Sequence, residues 1–177
     1  MAKEQGLIHI YTGNGKGKTT CSVGLTVRCV GSGGKVVFTQ LMKGNHSSER
    51  KVLEHLDGVF VIPAEKNFGF SWNLTEEEKA EAKEVYTRQF EAAAAKAEAE
   101  RCRLIVFDEL MSAYNYDMID RGKVLAFLKN KRDDLEVVLT GREPAEELTE
   151  LADYISEIRK IKHPYDAGIP FRKGIEF

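Results

Sequence analysis

The chain has 177 residues, with 26 Lys plus Arg against 28 Asp plus Glu, a formal charge of -2 at pH 7, and 42% hydrophobic and 31% charged residues. At roughly 100 to 200 residues per domain this length supports one sizeable core, so a single domain over 1–177 is expected rather than a two-domain enzyme. The charge balance lacks the basic excess that would neutralise many phosphates, which argues against nucleic acid as a partner.

No stretch approaches the roughly 18 consecutive apolar residues of a membrane span. The opening MAKEQGLIHIYTGNGKG has no signal-peptide apolar core, so no membrane association and a cytoplasmic location are expected. Cys21, Cys29 and Cys102 are odd in number and form no CxxC pair, which speaks against a disulfide framework or a thiolate zinc site. They read as reduced and buried.

In chain order, Gly6 to Tyr11 is a short β-prone run ending in a glycine cluster, and Lys18 to Val30 follows with Val23, Val27 and Val30 at helical spacing. Strands are predicted at Lys35 to Leu41 and at Val59 to Ile62. Between them SSERKVLEHL reads as a short helix with Val52, Leu53 and Leu56 toward the core. Thr75 followed by Glu78 is a capping-box pattern opening a helix to about Arg101, with Tyr86, Phe90, Ala93 and Ala97 as its apolar stripe. The alanine-rich run EAAAAKAEAE belongs to that helix and not to a linker.

LIVFDE is a continuous apolar run ending in two carboxylates, as expected of a central parallel strand. A helix near Ile119 to Lys129, a strand LEVVLT, a helix in REPAEELTELA and a strand from Tyr154 to Ile161 complete the alternation. Such alternation predicts right-handed crossovers, a mostly parallel sheet and a site outside the carboxyl ends of the strands.

The glycine-rich loop Thr12-Gly13-Asn14-Gly15-Lys16-Gly17-Lys18-Thr19-Thr20 lies between the first strand and the first helix. There glycines let backbone N–H groups converge on phosphate, Lys18 reaches the phosphates, and the Thr19 hydroxyl suits Mg²⁺. The GxxxxGK[ST] spacing wants glycine at the position of Thr12, whereas the first glycine here is Gly13. A strand-end acid is needed to hold the metal, and Asp108-Glu109 fits, one of the two being the ligand and the other a candidate turn cap.

The chain resembles the P-loop-type ATP:corrinoid adenosyltransferases. The resemblance rests on YTGNGKGKTT, on QLMKG followed by SSER, on GFSW at Gly69 to Trp72, and on VFDEL, LTGR and the closing ADYISEIRKIKHPYDAGIPFRKGIEF. It implies an α/β P-loop NTPase (RecA-like) fold with a mostly parallel sheet flanked by helices, ATP as co-substrate, a corrinoid substrate, Mg²⁺, a homodimer, and release of triphosphate in adenosylcobalamin synthesis or salvage. Co(I) is then the nucleophile and no general base is required.

By resemblance, Gly13, Asn14, Gly15, Lys16, Gly17, Lys18, Thr19 and Thr20 hold the phosphates, and Thr19 and Glu109 hold the metal with Asp108 adjacent. Lys43 and Arg50 are candidates near the nucleotide, with a solvated surface position as the alternative. Arg142 suits a corrin amide or phosphate, with a structural ion pair as the alternative. Phe70 and Trp72 match an aromatic pair that displaces the lower axial ligand of cobalt. On their residues alone a hydrophobic cluster under a loop is the preferred reading.

The tail, with Ile169, Phe171, Ile175 and Phe177, is expected to pack back on the domain, and His9, His46, His55 and His163 read as structural. The first strand begins within about seven residues of Met1, whereas many family members carry a further N-terminal segment over the active site. A transient reductant protein, of the flavoprotein kind in such systems, is the implied partner. The alternatives are a P-loop ATPase or nucleoside kinase yielding ADP, and an ATP- and corrinoid-binding carrier without turnover.

Overall fold

The computed structural model describes residues 5–68 and 74–176. Six strands, β1 (Ile8–Thr12), β2 (Val36–Gln40), β3 (Val59–Ile62), β4 (Leu104–Asp108), β5 (Glu136–Thr140) and β6 (Tyr154–Glu157), form one sheet in the order β3-β2-β4-β5-β1-β6. Every pairing is parallel, so the expected α/β sheet is entirely, not merely mostly, parallel. Helices α1 (Lys18–Gly31), α2 (Ser48–Leu53), α3 (Glu76–Ala99), α4 (Leu110–Asn115), α5 (Arg121–Asn130) and α6 (Glu146–Thr149) make the connections.

Strands β2 and β4 are buried at every position, which explains their continuous apolar runs: both faces of the sheet are covered. Alternate residues serve two cores. Val36, Phe38, Leu104 and Val106 pack with Val23, Leu25 and Val30 of α1, while Val37, Ile105 and Phe107 pack under α3 and α5. Phe90 stacks on Phe107 with ring centroids 4.6 Å apart, and Phe127 meets both rings edge-on. The expected α3 stripe of Tyr86, Phe90, Ala93 and Ala97 is fully buried, and both halves of the Thr75–Glu78 capping box form.

The valine spacing in α1 locates the helix but not its buried face. That face carries Lys18, Ser22 and Thr26, while Val27 is 52% exposed. Ser22 and Thr26 can be buried because their hydroxyls donate to the helix's own carbonyls, at Thr19 O (2.7 Å) and Ser22 O (2.9 Å). At the end of α2 Leu53 is buried, and Leu56 beyond it is half-buried, but Val52, expected inside, is 62% exposed. The helix ends at Leu53, so helical spacing does not carry through to Leu56 and sets no common face for the three.

Of the cysteines, Cys102 is buried, Cys29 intermediate and Cys21 exposed, which corrects the expectation that all are buried; all are free thiols. Burial pushes the Cys102 thiol up to about 11. The helix α4 was not anticipated, α6 is one short turn within the expected segment, and β6 stops at Glu157. Among the described residues no helix is long and apolar enough to cross a membrane.

Two substitutions test the packing assignment. Phe90→Ala should cost about 3–5 kcal/mol of stability in chemical denaturation, whereas Val52→Ala should stay within about 0.5 kcal/mol. Comparable losses at both positions would contradict the burial pattern.

Candidate active site

The strand order puts the carboxyl ends of β2, β4, β5 and β1 side by side, with β5 between the strand that feeds the glycine loop and the strand that ends in Asp108. The loop itself is shaped by the chain that leaves β6. Gly15 N donates to Ile158 O at 2.7 Å, Ile158 N to Thr12 O at 2.8 Å, and Lys160 N to the Asn14 side chain at 2.8 Å. A Cβ on Gly13 would lie 2.4 Å from Ile158 O and one on Gly15 2.7 Å from it, and Gly13 and Gly17 have φ of 107° and 131°. These positions therefore require glycine. Thr12, the unglycine-like position in the loop motif, ends β1 and pairs with Glu157 of β6.

Lys18 is almost fully buried and donates from Nζ to Gly13 O (2.8 Å) and Gly15 O (2.9 Å), so the loop carbonyls hold the ammonium at the cradle. Burial lowers its pKa, and the Arg142 guanidinium lowers it further against the opposing pull of Glu109 and Asp108. Arg142 is itself exposed at the carboxyl end of β5, near enough to act on Lys18 electrostatically.

Asp108 is completely buried and is the hub of the site. Its carboxylate accepts from Thr19 Oγ1 (2.9 Å), Lys43 Nζ (2.8 Å), Gln40 Nε2 (3.0 Å) and Thr140 Oγ1 (2.6 Å). Lys43 also donates to Thr19 Oγ1 at 3.0 Å. Burial alone would depress Lys43, but the Asp108 carboxylate outweighs it and raises the ammonium's pKa, which keeps the ammonium charged. Glu109 has a left-handed backbone, φ 59°, from which α4 starts; its N–H donates to Thr140 Oγ1 and its carboxylate accepts from Ser112. Its charge acts on both Lys18 and Lys43.

Gln40 and Thr140 were not singled out from the sequence, although each sits in a quoted motif. The available signal was their position: each is the polar residue ending a buried strand, as Asp108 is. Gln40 extends the network outward to Glu49 (2.8 Å) and to Ser47, which places the SSER segment against the QLMKG segment. Asn45 exchanges two hydrogen bonds of 2.9 Å with the backbone of Ala64, fastening the loop that carries Lys43.

A cleft of about 560 Å³ opens above this hub, lined among others by Lys16, Thr19, Thr20, Lys43, Glu49 and Glu176. Arg50 is not among those residues: its side chain is buried and bound to Glu54 at 2.9 Å, with NH1 left without a partner. The structure thus brings together Lys16, Lys18, Thr19, Thr20, Lys43 and Asp108, with Glu109 and Arg142 beside them. Phe70 and Trp72 lie outside the described residues.

The tail departs from expectation. Ile169, Phe171 and Ile175 remain about half exposed, and Tyr165 stacks on Phe171 with ring centroids 5.4 Å apart. Only its end returns, with Glu176 at the cleft and held by Arg172. His163 accepts from Tyr165 N at 3.2 Å, capping a short 3-10 turn, in keeping with a structural histidine.

Residues 4–177 match the family model for ATP:corrinoid adenosyltransferase BtuR/CobO/CobP. The chain is 35% identical over 176 residues to a corrinoid adenosyltransferase of Sinorhizobium sp, covering 98% of this chain and 81% of that protein. It is 34% identical over 177 residues to the corrinoid adenosyltransferase of Escherichia coli K12, covering 98% and 87%. Among solved structures it is similar to a KaiC-like protein of Pyrococcus horikoshii, with a TM-score of 0.57, 14% identity, and coverage of 88% of this chain and 73% of that one. At that identity the likeness concerns the fold alone. A family model spanning nearly the whole chain, relatives above 30% identity along its length and a phosphate loop beside a strand-end acid agree: the chain belongs to the ATP:corrinoid adenosyltransferase family.

Proposed function

We propose that the protein transfers the 5′-deoxyadenosyl group of ATP to Co(I) of a corrinoid: the cobalt–carbon bond forms with the metal's electron pair while the carbon–oxygen bond to triphosphate breaks. The observation that carries this reading is the composition of the site. Lys16 and Lys43 line one cleft, Lys18 is held on the loop beside it by the Gly13 and Gly15 carbonyls, and Asp108 is committed to four donors. Such a site stabilises charge on a leaving polyphosphate and offers no free base at its centre, and a Co(I) nucleophile has no proton to lose.

The donor set fits Mg²⁺, which takes hard oxygen ligands and keeps several waters and phosphate oxygens. Thr19 Oγ1 and Glu109 would hold it, with Asp108, which accepts from Thr19 Oγ1 at 2.9 Å, beside them. When bound, the ion neutralises phosphate charge. Lys18 then binds the innermost phosphate in place of the Gly13 and Gly15 carbonyls, and Lys43 and Lys16 bind the outer oxygens and orient the 5′ carbon outward. Arg142 contributes positive potential at the rim, and Phe70 and Trp72 exclude the lower axial ligand from cobalt. The half-exposed apolar tail and the open edge of β6 suit a homodimer, and a flavoprotein reductant suits the Co(II) to Co(I) step.

Anaerobic incubation with Mg²⁺-ATP and chemically reduced cobalamin or cobinamide should yield the light-sensitive adenosyl-cobalt spectrum together with inorganic triphosphate. ADP without alkylated cobalt would replace this reading with phosphoryl transfer, and binding without product would make the protein a carrier. Lys18→Ala should lower the transfer rate by about 100-fold or more. For Phe70→Ala and Trp72→Ala, the loss should be larger when the reaction starts from Co(II) than from supplied Co(I). Equal losses would remove the axial-ligand role.

A further inference from the structure

Behind the phosphate loop lies a second cavity, of about 270 Å³, bounded by Lys16, Arg159, Lys160, Lys162, Arg172 and Glu176. It shares a wall of Lys16, Ile175 and Glu176 with the main cleft; Thr19 and Lys43 line the main cleft and not this one. The chain as a whole carries a charge of -2, so the concentration of cations here is local.

The basic run 159–162 is held in place by the hydrogen bonds from Ile158 to Thr12, from Gly15 to Ile158 and from Lys160 to Asn14. Among the described residues Lys160 is paired with Asp166 at 3.0 Å and Arg172 with Glu176 at 2.8 Å, while Lys16, Arg159 and Lys162 have no acidic partner within ion-pair distance. The Glu176 carboxylate is little exposed and accepts from Arg172 N (2.8 Å) and NH2 (2.8 Å). It stands as an internal anion at the boundary between the cleft and the cavity.

We propose that this cavity is a second anion site, for inorganic triphosphate or a similar oligophosphate, and that Glu176 competes with that ligand for Arg172 and Lys16. Lys16, Arg159 and Lys162, unpaired and set around one concavity, bind a polyanion by charge-assisted hydrogen bonds without first breaking an ion pair. The site lies next to the loop from which the leaving group departs, so Lys16 can pass triphosphate outward and Glu176 can take its place. The identity of the ligand as reaction product rests on the adenosyl-transfer reading above; the binding site does not.

The test is calorimetric titration of inorganic triphosphate into the full chain with the main cleft saturated by Mg²⁺ and a non-reacting ATP analogue. Triphosphate should still bind, at one per chain, with an affinity that falls as salt rises. The double variant Arg159→Ala/Lys162→Ala should weaken this binding by about tenfold or more, and Glu176→Gln should tighten it several-fold. Orthophosphate in place of triphosphate should bind much more weakly.

Strict competition between triphosphate and the analogue, or binding indifferent to the double variant, would overturn the second site. Unchanged or weaker binding in Glu176→Gln would overturn the competing role of Glu176. Because no corrinoid or turnover is involved, failure here is distinct from failure of the transfer assay, and a far-ultraviolet spectrum of each variant separates lost binding from lost folding.

Discussion

A carboxylate with no exposure must be surrounded by donors, and the burial of Asp108 at the end of β4 imposes that condition on the whole carboxyl edge of the sheet. Its four partners come from the start of α1, the end of β2, the loop after β2 and the end of β5. Removing one partner of a buried charged pair typically costs about 3–5 kcal/mol, because the remaining charge is left without compensation. The network is therefore both a structural lock and the place where a metal-bound polyphosphate would be received. Lys43 and Thr19 bond to Asp108 and Lys18 bonds to loop carbonyls, so one set of hydrogen bonds fixes the positions of the groups proposed to serve the ligand.

The glycine loop illustrates a second constraint. Its shape is set from outside by residues 158–160, which pair with Thr12, Asn14 and Gly15. The nearness of Ile158 O explains why glycine stands at 13 and 15, and the pairing of Thr12 with Glu157 explains why the first glycine comes one position later than the common spacing. The same contact carries a basic segment to the rear of the loop, so phosphate chemistry on one side and an electropositive cavity on the other share one backbone.

Much of this was legible in the sequence. The apolar runs of β2 and β4, the Thr75–Glu78 cap, the α3 stripe and the strand–loop–helix context of Lys18 each depend on local periodicity or local hydrogen bonding. The misreadings share a different cause. Val52 was assigned to the core by spacing alone, yet α2 is too short for spacing to settle its orientation. Helix α4 begins at a left-handed glutamate, a start that no capping residue announces. The apolar residues of the tail suggested a packed segment, but Ile169, Phe171 and Ile175 stay about half exposed, and Phe171 stacks within the tail on Tyr165.

By itself the sequence determined the order of elements, the parallel sheet and the phosphate loop, because these follow from propensity, periodicity and residues close together along the chain. Its longer motifs also determined the family. Only the tertiary structure decided that Gln40, Thr140 and Lys43 meet on Asp108, that Arg50 turns away from the cleft, and that Arg159 and Lys162 stand beside Lys16. Apart from the local Arg50–Glu54 pair, those relations join residues tens of positions apart through the crossover order of the sheet, and pairing energies at such separation leave no local mark on the chain.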